Sequence, residues 1–525
     1  MDLIIRSGQI VDGTGANART ADLGIRDGRI EAIGDLRAAT AAEVIDATGH
    51  VVAPGFIDTH THGDVAALLP DAHLDVKTAE LRQGVTTEVC GNCGFSPFPA
   101  DGPHADQVAA LMGVLVGEGP RTWPDLAAYR AALSPAGMFT NLAPLVGHGS
   151  IRAATLGFAD RAPTPDELRA MVRLAEAALA QGAAGISTGL VYAPGMYSRT
   201  EEIVAIARAL RGTGRPYATH LRGETDMVAD SVREAIHIGR EAGVPVHISH
   251  HKAAGKDNWG RTAETLAIVD AARAEGLDVT LDVYPYTAGS TLLHSILPPW
   301  AQADGIAAMV ARLRDPAARA RMKRDFADGI PGWQNQQRAA GWDGIVLAGC
   351  AGRPELEGRR ADELGADPAE AVFDLIAEQQ GRVTMIAHLM RDDDVDRVIA
   401  HPASMIGSDA IPLPGKPHPR LAGTFARILG RYVRERGVLD LSTAVRKMTA
   451  LPAERFALRD RGVLAVGKIA DVVVFDPSTV LDRASYDAPL LPPVGMRAVI
   501  VGGRIAVTDG APTSVRGGVA LAGDR

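Results

Sequence analysis

The sequence predicts an α/β protein: a (β/α)8 barrel of the TIM type, a small β-sandwich domain formed from both termini, and an inserted lid-like segment. Two observations carry this prediction. In the middle of the chain, short apolar runs alternate with helix-period stretches about eight times over roughly 400 residues, the rhythm of a parallel barrel. At both ends the rhythm changes to short β-branched runs separated by Asp-Gly and Gly-Gly, the turn chemistry of hairpins. A doubly wound sheet is the alternative fold.

The N-terminal end supplies Leu3-Ile-Ile-Arg, a turn at Asp12-Gly13, Asp22-Leu-Gly-Ile, a turn at Asp27-Gly28, and Arg29-Ile-Glu-Ala-Ile. The C-terminal end supplies Val463-Leu, Ala470-Asp-Val-Val-Val-Phe, Ala498-Val-Ile-Val, Gly502-Gly503, Ile505-Ala-Val and Asp509-Gly510. Neither end has enough strands to close a sheet alone, so the two are expected to share one. The expected division is 1–54 and 461–525 for the β domain and 55–460 for the barrel.

Within the barrel the strand candidates are Phe56-Ile, Thr87-Glu-Val, Leu142-Ala-Pro-Leu-Val, Gly185-Ile-Ser-Thr, Tyr217-Ala-Thr-His, Val246-His-Ile-Ser, Val279-Thr-Leu-Asp-Val and Met405-Ile-Gly-Ser-Asp. Between most of them lie helix-period stretches, such as the one starting at Pro165 and the one from Thr262 to Glu275. Ile345-Val-Leu-Ala and Val383-Thr-Met-Ile-Ala are surplus to the count. The irregular stretch of about 291–345, bearing Pro, Trp and Gln, reads as an excursion from the barrel that lies over the site, and 412–420 is a second Pro-rich loop.

Composition narrows the function. A chain of 525 residues can bury a large core and hold more than one domain. A net charge of −9 and a pI near 5.9 disfavour nucleic acid and anionic membranes as partners. There is no run of ~18 apolar residues, and the N-terminus lacks the basic and apolar regions of a signal peptide. Three cysteines, Cys90, Cys93 and Cys350, are too few and too odd for a disulfide framework, so a reducing cytoplasm is expected.

Barrel enzymes place their chemistry at the C-terminal ends of the strands. The first strand candidate runs into His60-Thr-His62, whose i, i+2 spacing puts both imidazoles on one face of an extended chain. The second runs into Cys90-Gly-Asn-Cys93-Gly, a later one into His220-Leu-Arg222-Gly-Glu224, the next into His247-Ile-Ser-His250-His251-Lys252, and the last into Asp409. Five strand ends in succession carry metal-competent residues. Cys93, in the tighter loop, is the ligand candidate, and Cys90, still within the strand, is expected in the core. The Cys-x-x-Cys spacing opens no helix and has no second pair, which counts against a redox motif and a zinc finger. Periodicity does not choose between His250 and His251.

These motifs resemble the amidohydrolase superfamily. Pro-Gly-Phe-Ile-Asp-x-His-x-His, the strand-end histidines and the late Ser-Asp form its pattern, and Gly91-Asn-Cys93-Gly, Thr-His220-Leu-Arg-x-Glu, Ile-Ser-His250-His-Lys and Pro194-Gly-Met-Tyr-Ser look like its D-aminoacylase branch. The resemblance covers essentially the whole chain. It implies that Cys93, His220 and His250 hold one tightly bound Zn2+, and it selects His250 over His251. It also implies that His60, His62 and Asp409 form a weaker second site, with Asp409 the catalytic acid/base. Gly63 departs from it, since an acidic residue is expected after His62.

Zinc suits sulfur and imidazole ligands, lowers the pKa of bound water to ~7 and polarises an amide carbonyl. The expected substrate is a small N-acyl-D-amino acid, whose α-carboxylate needs cations and donors; Lys252, Arg420, Tyr192, Tyr284 and Ser290 are the candidates. The segment 287–300 has no Arg or Lys, only His294, and is rich in Leu and Ile, which points to neutral or hydrophobic side chains over D-glutamate or D-aspartate. A cyclic-amide hydrolase of the hydantoinase or dihydroorotase type would need a bridging Lys on the fourth strand, and Gly185-Ile-Ser-Thr-Gly-Leu has none. A metal-free scaffold relative would not need all six ligand residues.

Overall fold

The computed structural model describes residues 1–116 and 121–522, without the side chains of 114–116. The chain is mixed α/β. Its central strands are β1 (Phe56–Asp58), β2 (Val85–Cys90), β3 (Asn141–Pro144, resumed at Val146–Gly147), β4 (Ile186–Gly189), β5 (Tyr217–His220), β6 (Val246–Ile248), β7 (Val279–Val283) and β8 (Ser404–Ile406). Each pairs in parallel with the next in chain order. The two ends of the series also meet: Asp409 N donates to His60 O (2.7 Å), His62 N donates to Ala410 O (2.8 Å), and Thr61 and Ala410 form a parallel bridge. The strands are buried throughout, as expected where helices cover parallel strands.

The connecting helices carry clear end signals. Pro165–Ala180 starts on a capping box, with the Thr164 side chain accepting from Glu167 N and the Glu167 side chain accepting from Thr164 N. Val228–Ala242 ends on Gly243 at φ 69, the left-handed position that a side chain would strain.

The two termini share one sheet. Val472–Phe475 pairs antiparallel with Val51–Pro54, which joins Met496–Val501 and Arg504–Thr508 to Leu3–Ile10, Arg19–Arg26 and Arg29–Gly34. In hydrogen-bonding terms the expected sandwich is a single nine-stranded sheet. Leu3–Ile10 pairs in parallel first with Glu43–Asp46 and then with Val51–Val52, and its antiparallel pairing with Arg19–Arg26 shifts register between Ile5 and Gly8. Alternate residues bury two cores: Val473, Phe475 and Val499 join the central one, while Val472, Val474 and Ile500 pack with Leu3, Ile5 and Leu23.

Between β7 and β8 lies a segment longer than the stretch of 291–345 expected from its irregular composition. The two surplus strand candidates belong to it: Ile345–Gly349 and Ala288–Leu292 flank Thr384–His388 in a three-stranded antiparallel sheet. With helices Ile306–Arg314, Pro316–Asp328 and Pro368–Glu378 it encloses its own core around Leu297, Met309, Phe326, Phe373 and Met385. An apolar run does not reveal its pairing partner, so the sequence could not separate these strands from the central ones. Among the described residues, no helix is long and apolar enough to cross a membrane.

Candidate metal centre

His60 and His62 follow β1, Cys93 lies on the turn after β2, His220 closes β5, His250 stands two residues past β6 and Asp409 three past β8. Three of these adopt left-handed backbone: Cys93 (φ 54), His250 (φ 34) and Asp409 (φ 54), out of nine non-glycine residues with positive φ among those described. Each such residue costs ~1–3 kcal/mol, and such strain concentrates at functional sites. Local bonds hold the Cys93 turn: Asn92 Nδ2 donates to Val89 O (2.9 Å), and Ser187 Oγ accepts from Gly94 N (3.0 Å).

The side chains converge. Cys93 Sγ lies 3.3 Å from His60 Nε2, 3.5 Å from His250 Nε2 and 3.6 Å from His220 Nδ1. Asp409 Oδ1 lies 3.3 Å from His62 Nε2 and 3.4 Å from His60 Nε2. Three donor sets have their atoms within 4.8 Å of one another: His60, His62 and Cys93; Cys93, His220 and His250; His60, His250 and Asp409. All are buried.

The acids of the cluster are held ionised: against burial, the Arg420 guanidinium and the His60 imidazole keep Asp409 well below the usual carboxylate range. Burial opposes ionisation of Cys93, yet the neighbouring His60 charge and the imidazoles of His220 and His250 hold its thiol well below the usual range. Burial likewise opposes protonation of His62, but Asp409 and Cys93 push it up to about 9. A thiolate and a carboxylate side by side, with imidazoles as the remaining donors, are the chemistry of a zinc-type site, so the residues fit the ion.

The outer ring is equally ordered. Asp282 accepts from His250 N (2.7 Å), bonds His247 Nε2 (2.7 Å) and lies 3.6 Å from His60 Nδ1. Asp58 accepts from His60 N (3.0 Å) and Ser408 N (2.9 Å). Glu224 pairs with Lys252 Nζ (2.7 Å) and His250 Nδ1 (3.1 Å). Sequence reasoning assigned no role to these three acids. Their signals were an acid inside an apolar strand (Asp282), an acid two positions before a ligand (Asp58) and one four after (Glu224).

The structure separates the competing histidines. His250 faces Cys93, whereas His251 Nε2 turns to Thr265 Oγ1 (2.7 Å). The left-handed turn at His250 breaks strand alternation, which is why periodicity could not decide. Cys90 is buried away from the cluster, with Asp64 and Tyr129 as neighbours. At Gly63 an added Cβ would lie 2.6 Å from Glu88 Oε2, so the carboxylate of Glu88 already occupies the space an acidic side chain at 63 would need.

Of the substrate-binding candidates, Arg420 is buried, with NH1 2.8 Å from Asp409 Oδ2 and NH2 donating to Ser290 O (3.0 Å). Its guanidinium stacks 4.7 Å from the Tyr284 ring centroid, and Lys252 Nζ is 5.7 Å from the same ring. Tyr192 packs 5.0 Å from His220 and hydrogen-bonds Thr291 Oγ1 (2.8 Å). Tyr192 also lines a cavity with Phe95, Leu111, Leu292, Ile306, Met309 and His294.

The loop after Tyr192 is braced from below. Glu202 accepts from Arg152 NH1 (2.7 Å), Ser198 Oγ (3.1 Å) and His148 Nε2 (2.9 Å). Against the opposing effect of burial, His148 and Arg152 lower its carboxyl from 4.5 to about 2. The resulting stability is present above the unfolded pKa of about 4.3 and is lost as pH falls toward the folded value. Glu202→Gln, which leaves Arg152 without a counter-charge, is expected to destabilise the fold by about 3–5 kcal/mol in urea unfolding at pH 7. A midpoint equal to that of the parent protein would reject this account.

Comparison with known proteins covers nearly the whole chain. The amidohydrolase family matches residues 43–507. A D-aminoacylase from Alcaligenes xylosoxydans xylosoxydans is 41% identical over 521 residues, covering 99% of this chain and 97% of the relative. An N-acyl-D-glutamate deacylase from the same organism is 41% identical over 528 residues, covering 100% and 97%. Among solved structures, an N-acyl-D-glutamate deacylase from Bordetella bronchiseptica, complexed with zinc and a phosphonate mimic of the tetrahedral intermediate, superposes with a TM-score of 0.85 at 39% identity over 99% of both chains.

Proposed function

The chain belongs to the amidohydrolase family, and from that premise we propose that it hydrolyses N-acyl-D-amino acids to a carboxylate and a free D-amino acid in a metal-dependent reaction. The convergence of Cys93, His220 and His250 on one buried point carries this reading. Cys93, His220 and His250 would hold the tighter zinc, and His60, His62 and Asp409 the weaker position. Zinc supplies hydroxide near neutral pH and polarises the amide carbonyl when bound.

The chain's own groups do the rest. Asp409 takes the proton of the attacking water and returns it to the leaving amine, which is too basic to depart unprotonated. Arg420, on the other carboxylate oxygen, fixes the orientation of Asp409. Lys252, Tyr284 and the remaining donors of Arg420 receive the α-carboxylate, with Tyr192 and Ser290 beside them.

The lining of the cavity at Tyr192 favours neutral or hydrophobic side chains. It has no Arg or Lys, and burial pushes His294 down to about 4, leaving a neutral imidazole there at neutral pH. An ionised substrate side chain would be desolvated without a partner. The same reading takes β1–β8 as a (β/α)8 barrel, the terminal sheet as a separate β domain and the segment between β7 and β8 as a lid-like insertion. Parallel pairing in chain order and the meeting of β8 with β1 support it. Three unpaired buried cysteines and a net charge of −9 suit a small-molecule enzyme of a reducing cytoplasm.

The test is a panel of N-acetyl-D- and L-amino acids with metal-quantified protein. N-acetyl-D-leucine or N-acetyl-D-methionine is expected to exceed N-acetyl-D-glutamate in kcat/KM by at least about tenfold. Activity confined to L-substrates would overturn the function, and preference for D-glutamate would overturn the side-chain assignment. Hydantoins and dihydroorotate are expected to be inert, since β4 holds no lysine to bridge two metals.

A further inference from the structure

Glu224 has no role in the reaction as described, yet both imidazoles proposed for the tighter metal face it. Its Oε1 lies 3.1 Å from His250 Nδ1 and 2.7 Å from Lys252 Nζ, and its Oε2 lies 3.7 Å from His220 Nε2, a buried nitrogen with no hydrogen-bond partner. Each imidazole turns its other nitrogen to Cys93 Sγ, His250 through Nε2 and His220 through Nδ1. Among the described residues, Glu224 is the one carboxylate within 4 Å of a ring nitrogen of either histidine. The neighbouring acid, Asp282, is engaged by His247 and His60 and meets His250 only through its backbone N–H.

The chemistry then constrains the protons. A neutral imidazole carries one N–H, and the nitrogen that faces a cation must be bare. The N–H of His250 therefore belongs on Nδ1 and that of His220 on Nε2, both directed at Glu224. A protonated Nδ1 cannot accept from an ammonium, so the 2.8 Å approach of Lys252 Nζ to His250 Nδ1 reflects two donors gathered on the same Oε1. The backbone keeps the acid in place, with Gln334 Oε1 accepting from Glu224 N (2.6 Å) across from the segment between β7 and β8.

We infer that Glu224 is the positioning residue of the tighter metal: one carboxylate that holds two histidine ligands in opposite tautomers and anchors Lys252, the cation offered to the substrate carboxylate, at the same point. This rests on the reading that His220 and His250 are ligands. Partners of this kind orient the ring and raise its basicity, and their loss weakens metal binding about 10- to 100-fold.

Glu224→Gln keeps the shape and removes the charge. Zinc affinity of the full-length protein, measured by competition with a chelating dye, is expected to fall about 10- to 100-fold; the melting temperature of the zinc-free protein is expected to fall as well, because buried Lys252 loses its counter-charge. Unchanged zinc affinity in Glu224→Gln would overturn the inference, because a residue that merely fills space tolerates its isostere. Should the variant not fold, the parent protein decides. With ¹⁵N-histidine labelling and bound zinc, one ligand ring is expected protonated on Nδ1 and another on Nε2; a single shared tautomer would overturn the inference. Failure of the metal reading is separable, since the parent protein would then bind no zinc.

Discussion

Cys93→Ala is expected to lose the tightly held zinc and to lower kcat/KM by at least about 10³-fold. Cys93 Sγ is common to two of the three donor sets and stands within 3.6 Å of three imidazoles. Without it, His220 and His250 remain as two neutral donors, while Asp409 keeps His60 and His62 company on the other side. No neighbouring thiol can take over, because Cys90 lies buried next to Asp64 and Tyr129. Elemental analysis after dialysis checks the claim directly. Zinc retained at the parent level would reject Cys93 as a ligand and return the cyclic-amide alternative to consideration.

Asp409→Asn is expected to lower kcat by about 10³-fold, within the range of general acid–base contributions. The amide has nearly the shape of the carboxylate but cannot take a proton from water or pass one to the amine. The tighter donor set of Cys93, His220 and His250 does not include Asp409, so tightly bound zinc should persist in this variant. Combined measurement of zinc content and kcat separates the two roles. Loss of zinc with residual turnover per bound metal unchanged would make Asp409 a ligand only.

Much of this site is legible in the sequence because metal chemistry uses few residue types and the fold puts them at strand ends. His60-x-His62 and the Cys93 loop each follow an apolar run, and the structure brings all six proposed ligand residues to one place. What is not legible has two physical causes. Left-handed backbone at Cys93, His250 and Asp409 leaves no mark in residue type, so strand alternation could not decide between His250 and His251. Outer partners such as Glu224 and Asp282 act through chain segments distant in sequence, and an acid is an acid wherever it faces. The segment between β7 and β8 exceeds the expected stretch for the same reason, since Ile345–Gly349 and Thr384–His388 have ordinary strand composition and reveal their antiparallel pairing only in three dimensions.

The meeting of β8 with β1 has a thermodynamic consequence. Asp58 and Ser408, hydrogen-bonded there, are 350 positions apart in the chain, and His60 and Asp409 flank that contact. A cation shared by those two side chains would be a reversible cross-link across nearly the whole central fold. Closing so long a loop is what the unfolded chain finds entropically most costly, although the cost grows only logarithmically with length. A metal held at the proposed weaker position would thus link folding to divalent-ion concentration, and its occupancy would add to the stability of the folded chain even where the reaction does not require it.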